Sequence, residues 1–163
     1  MKHSNLILAL ALSLSLSCVK ASADDEGIKF PPIEHAATLK ECGTCHLVFP
    51  PQMLPARSWD KLIGGLTNHF GENAALEPES REDILKFLSS HAADSPGSKE
   101  SAKFMRGMTK DVAPLRITET PYWTRAHHEI KESQFKDPKV KSKANCIACH
   151  KAADKGEFRE EED

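Results

Sequence analysis

Aromatic side chains are scarce in this chain: two Trp, one Tyr and seven Phe among 163 residues. With only short apolar runs beside them, they give little from which to build a large core of protein alone. A basic excess is also missing, since 22 Lys and Arg stand against 24 Asp and Glu. A surface of that balance cannot neutralise many phosphates, which argues against nucleic acid as a partner. Beyond the first residues, no stretch approaches the roughly 20 apolar residues of a membrane helix, so stable membrane insertion is not expected. No signalling module is visible either, which leaves a sensor role unsupported.

The first residues form a separate unit. "MKHSNLILALALSLSLSCVKASA" has a short charged start with Lys2, an apolar run from Leu6 to Leu16, and the small-x-small sequence Ala21-Ser22-Ala23. This is the pattern of a secretory signal peptide, and it predicts cleavage after Ala23. Lipoprotein processing at Cys18 is the alternative, although Ser15-Leu16-Ser17 makes a poor lipobox. The mature chain would run from residue 24 to 163. Loss of Lys2 and Lys20 leaves 20 basic against 24 acidic residues, a formal charge of −4.

Four cysteines remain: Cys42, Cys45, Cys146 and Cys149. In an oxidising compartment disulfides are the ordinary expectation. Yet both pairs have a two-residue gap, and each is followed at once by a histidine, His46 and His150. Disulfides give no reason for that. A four-cysteine zinc site would leave both histidines accidental, and a thioredoxin-like motif would need a preceding strand where "IEHAATLKE" reads as helix. Cys-x-x-Cys-His is instead the attachment motif of c-type haem: two thiols bond the macrocycle and the histidine binds the iron. On a helical turn, positions i, i+3 and i+4 share one face, so all three side chains reach one group. Two such motifs imply two haem c groups with iron. These would form much of the core that the composition lacks, and the apo-protein should fold poorly.

Each iron has a sixth position. The candidates are His35, His69, His91, His127, His128, Met53, Met105 and Met108. In "SWDKLIGGLTNHFG", a helix from an N-cap at Ser58 to Gly71 places Trp59, Leu62, Ile63, Leu66 and Phe70 on one stripe, with His69 pointing the same way. In "TPYWTRAHHEI", Thr120 is an N-cap and Pro121 a favoured first residue. Trp123, Ala126, His127 and Ile130 then face inward, and His128 does not. Helical position therefore favours His69 and His127. His91, on a stripe with Ile84, Phe87 and Leu88, and Met105, late in the chain, remain alternatives. Met ligation would raise the potential.

At this point "ECGTCHLVFPPQMLPARSWDKLIGGLTNHFGENAAL", "PLRITETPYWTRAHHEI" and "ANCIACHKAADKGEF" together resemble the dihaem cytochrome c (DHC) family of bacteria, over about residues 35 to 160. The resemblance implies a small, mainly helical, periplasmic electron carrier with two low-spin bis-histidine haems. Carried over by motif, it gives His69 in His-Phe-Gly and His127 in Arg-x-His-x-Glu-Ile as the distal ligands. It also implies redox partners such as SHP-type monohaem cytochromes c and membrane cytochromes b.

The expected fold is all-α, with little or no sheet. Residues 24 to 34 read as a loose N-terminal arm. "DSPGSKE" (94–100) is the best candidate for a boundary between two lobes, about 24–94 and 100–163, with one haem each. "KESQFKDPKVKSK" (131–143) is a lysine-rich connector or a docking patch for an acidic redox partner. The leading expectation is an electron-transfer protein and not an enzyme. Its rival is a dihaem enzyme, a peroxidase or a small-oxyanion reductase, with one open iron.

Overall fold

Proline, glycine and short apolar runs decide where each helix of this chain starts and stops. The computed structural model describes residues 27–97 and 99–159. The expected signal peptide, Cys18 and residues 160–163 lie outside them. The first elements are a two-residue strand β1 (Ile28–Lys29) and helix α1 (Ala36–Cys42). The ring of His35 caps α1: its Nδ1 accepts from the Thr38 N–H at 3.3 Å, and its Nε2 lies 3.3 Å from Asp83. Helices α2 (Ala56–Gly64) and α3 (Pro78–Ser90) follow. Pro55 is the N-cap of α2 and Pro78 the first residue of α3, positions where a missing N–H costs nothing.

α2 is shorter than its apolar stripe predicts. It starts two residues before Ser58, which is buried inside it, and ends at Gly64-Gly65, where two successive glycines interrupt the helix. A 3₁₀ turn (Leu66–Asn68) and a tight turn complete the segment, with φ of +57° at Phe70 and +103° at Gly71. Trp59, Ile63 and Leu66 are nonetheless buried as the stripe requires. They pack with Leu54, Ile84, Leu88 and Ala92 into a core between α2 and α3. The Trp59 Nε1–H donates to Pro51 O at 2.8 Å, which satisfies its one polar atom inside that core.

The rest of the chain is made of shorter pieces: α4 (Lys99–Met105), α5 (Pro121–Ala126), α6 (Glu132–Phe135), 3₁₀ turns at Cys146–Ala148 and Ala153–Lys155, and β2 (Glu157–Phe158). Thr120 does cap α5, its hydroxyl accepting from the Trp123 N–H at 3.2 Å. Among the described residues the molecule is mostly helical, with one two-stranded sheet as its only strand pair.

That small sheet corrects the reading of the arm as loose for residues 27–34, the described part of 24–34. β1 pairs antiparallel with β2, Ile28 opposite Phe158 and Lys29 opposite Glu157. Phe30 follows with 1% exposure and packs its ring against Phe104 and Phe158 at 5.7 and 5.9 Å. Gly156 makes this approach possible: a Cβ there would stand 2.7 Å from Phe30 O. Burial of such a ring contributes about 1.5–3 kcal/mol, enough to order an arm that composition alone leaves free. The resulting second core joins Ile28, Phe30, Met53, Ala93 and Phe104. It takes residues from both sides of 94–100. Asp94 also accepts from the first N–H of α2 at 2.7 Å, and Arg57 reaches from α2 to Val112 O and Thr109 O.

Candidate haem sites

Both Cys-x-x-Cys-His motifs lie where a helical turn ends. Cys42 is the last residue of α1, with Cys45 and His46 in the turn beyond it. Cys146 opens a 3₁₀ turn, and its carbonyl accepts from Cys149 N at 3.2 Å and His150 N at 2.8 Å. One wound turn therefore carries two thiols and an imidazole in each case. All four thiols are free, with no disulfide among the described residues. No cluster of His, Cys, Asp and Glu among those residues could hold a zinc ion.

The first thiol of each pair is held neutral. Burial pushes the Cys42 thiol up, with Glu41 adding to the effect. Burial likewise pushes Cys146 up to about 11. Redox-active Cys-x-x-Cys motifs depend on a depressed thiol pKa, so this environment does not suit thioredoxin-like exchange.

The structure brings the four ligand histidines expected from sequence into two pairs. His46 and His69 face each other with ring centres 6.2 Å apart and planes inclined by 23°. His127 and His150 stand 6.1 Å apart, with planes at 90°. An imidazole nitrogen sits about 2 Å from a bound metal and about 1 Å from its own ring centre, so two trans imidazoles on one metal have centres about 6 Å apart. Both pairs fit that separation. The Nδ1–H of His46 donates to Leu47 O at 2.6 Å, that of His127 to Trp123 O at 2.9 Å, and that of His150 to Arg159 O at 2.9 Å. Those bonds fix the tautomer and leave Nε2 as the ligating atom.

His69 is carried by the turn after α2, not by a helix. Its N–H donates to Glu72 O at 2.7 Å, and Phe70 packs on its ring at 4.7 Å. Burial, then the nearby His46 and Arg116, lower its pKa below the ordinary 6.5, which keeps the imidazole neutral and able to donate a lone pair. The Arg116 guanidinium lies 3.8 Å over the Phe70 ring. His127 is the C-cap of α5, which stops at Ala126 and leaves Ile130 exposed. Its ring stacks on Trp123 at 4.4 Å and 15°. His128 turns outward, its Nδ1–H donating to Arg125 O.

The other candidates go elsewhere. His91 is exposed at the end of α3, with its Nδ1–H donating to Phe87 O at 2.9 Å, because the helix ends there and the ring serves as its cap. Met105 and Met53 belong to the second core. A cleft of about 470 Å³ runs between the two motifs, walled by Leu39, His46, Val48 and Pro50 on one side and by Ile147 and Ala153 on the other. Sequence reasoning missed three supports of the expected ligands: Arg116 over Phe70, the Trp123 stack, and the Arg159 carbonyl. Trp123, four residues before His127, was the one with a visible signal.

The sequence model of the dihaem cytochrome c family matches residues 38–158, from within α1 to the end of β2. The chain belongs to the dihaem cytochrome c family. Among solved structures it is similar to the diheme cytochrome c from Rhodobacter sphaeroides, at 39% identity with a TM-score of 0.71. That match covers 79% of this chain and 100% of the other. The diheme cytochrome type c from Shewanella baltica OS155 matches at 35% identity and a TM-score of 0.62, over 77% of this chain and 87% of that one. No curated protein sequence matches. This dihaem cytochrome c accordingly carries two covalently bound haem c groups with iron, and its mostly helical fold is that of its structural neighbours.

Proposed function

We propose that this dihaem cytochrome c is an exported, periplasmic electron carrier in which both irons have closed bis-histidine coordination. His46 and His69 serve one haem, and His127 and His150 serve the other. The observation that carries this reading is the separation of the two imidazole pairs, 6.2 and 6.1 Å, each suited to one metal between them. When bound, the haems supply one-electron redox chemistry. The chain's own residues hold the rings, fix their tautomers through backbone carbonyls, and fill both axial positions so that no substrate can bind there. Residues 1–23 are proposed to act as the signal peptide.

Partners of redox type are proposed on the resemblance: an SHP-type monohaem cytochrome c and a membrane cytochrome b. Lys131, Lys136, Lys139 and Lys141 are exposed beside the second site and would steer an acidic partner towards it. Association should then weaken as salt rises.

Absorption spectra of ferric and ferrous protein, with and without carbon monoxide, test the coordination. Two low-spin haems that ignore the gas are the expected result. A haem that binds it would favour the enzyme reading. The variant His127→Ala should open the second iron to the gas, whereas His128→Ala should leave the spectrum unchanged.

A further inference from the structure

The two imidazole pairs share a spacing but differ in angle: 23° between His46 and His69, 90° between His127 and His150. The contacts that set the two crossed rings come from two different elements, α5 and β2. His127 is stacked on Trp123 and bonded to its carbonyl, so its plane follows that of the Trp123 ring. His150 is bonded to the carbonyl of Arg159, and the Phe158 ring stands against it at 5.7 Å and 60°. Both contacts come from β2 and the residue after it, and β2 is held in turn by β1. Gly27 completes the clamp. A Cβ there would lie 2.4 Å from Arg159 Cα and 2.8 Å from Arg159 N, so only glycine lets the two backbones come this close.

We propose that the strand pair β1–β2 positions His150 crossed to His127, and that this makes the second haem electronically distinct from the first. The inference rests on the bis-histidine reading above. Gly27, Phe158 and the Arg159 backbone are positioning groups that act through His150.

The physical link is orbital symmetry. An imidazole donates π density into the iron d orbital that matches its own plane. Near-parallel rings act on the same orbital and split the d pair. Crossed rings act on one orbital each and leave the pair nearly degenerate. In a low-spin ferric ion a split pair gives a three-component rhombic spectrum. A near-degenerate pair keeps its orbital angular momentum and gives one strongly shifted low-field feature.

The test is low-temperature electron paramagnetic resonance of the full ferric holoprotein. Two low-spin signals in equal amounts are expected, one rhombic and one with a single low-field feature. Gly27→Ala and Phe158→Leu should each move the low-field feature towards the rhombic form and leave the rhombic signal in place. Phe158→Tyr, which keeps the ring, should retain the original spectrum. Two rhombic signals in the unaltered protein would overturn this inference while leaving bis-histidine ligation intact. So would a low-field feature that neither variant moves. A high-spin signal from the second iron would overturn both readings.

Discussion

Residues 50–93 and 121–159 each carry one of the proposed distal histidines, yet they are built on opposite principles. The first stretch has a protein core of its own: Leu54, Trp59, Ile63, Leu66, Ile84 and Leu88 are buried between two helices. In the second, only Ala153 and Gly156 are buried, and the longest helix is the six-residue α5. A chain segment that buries so little cannot offset its conformational entropy by packing alone. The second region therefore depends on its haem as its core, whereas the first uses its haem as an addition to one. The scarcity of aromatic residues is thus unevenly met along the chain.

This contrast predicts unequal consequences of losing each haem. Cys146→Ser/Cys149→Ser should give the largest effect. Haem content falls from two to one, and amides across 121–159 lose their protection from hydrogen exchange while α2 and α3 keep theirs. The matching variant, Cys42→Ser/Cys45→Ser, should leave the α2–α3 amides protected. Protection that survives in 121–159 without its haem would break the comparison.

A smaller effect is expected from Phe30→Ala. Phe30 is fully buried where the two regions meet, and its removal should cost about 3–5 kcal/mol, as for other large-to-small core changes. Denaturant unfolding followed by both haem absorption and far-ultraviolet circular dichroism would measure it. A cost below about 1 kcal/mol would mean that the terminal strand contributes no core.

The smallest effect is electrostatic. Glu157 is bonded to Lys29 across the strand pair and to Arg159, and Lys29 foremost holds its carboxyl below the ordinary 4.5. A depressed folded-state pKa stabilises the fold above the unfolded value, and that contribution disappears as pH falls through the folded value. Exchange at the Phe30 amide, which donates to Gly156 O, should therefore accelerate below about pH 4.5, beyond the intrinsic pH dependence, while α2 and α3 do not follow. Glu157→Gln should abolish that dependence.

Much of the site was legible because haem attachment and proximal ligation require fixed residues at fixed spacing. His69 and His127 were legible for a weaker reason. The apolar stripes single out these two histidines, which the structure sets opposite His46 and His150, even though α2 and α5 end before they are reached and Ala126 and Ile130 are exposed. His91 has the same pattern yet lies exposed at the C-cap of α3, because a stripe cannot say whether its last residue is still inside the helix. The strand pair was the part that remained hidden. Two residues carry no period, although the complementary "IKF" and "GEF" place Lys29 against Glu157 and an apolar residue on either side. The approach of Gly27 to Arg159 has no sequence signal beyond the glycine itself.

The partnership of Ile28 with Phe158 joins nearly the most distant described residues in the chain. Closing so long a loop carries an entropic cost that local helices do not meet, and non-local strand pairs form slowly for that reason. The contacts that Phe158 and Arg159 make to His150 lie beside this pairing, so they share its long-range cost. One site thus leans on contacts between neighbouring helices, and the other on a pairing that spans nearly all the described residues.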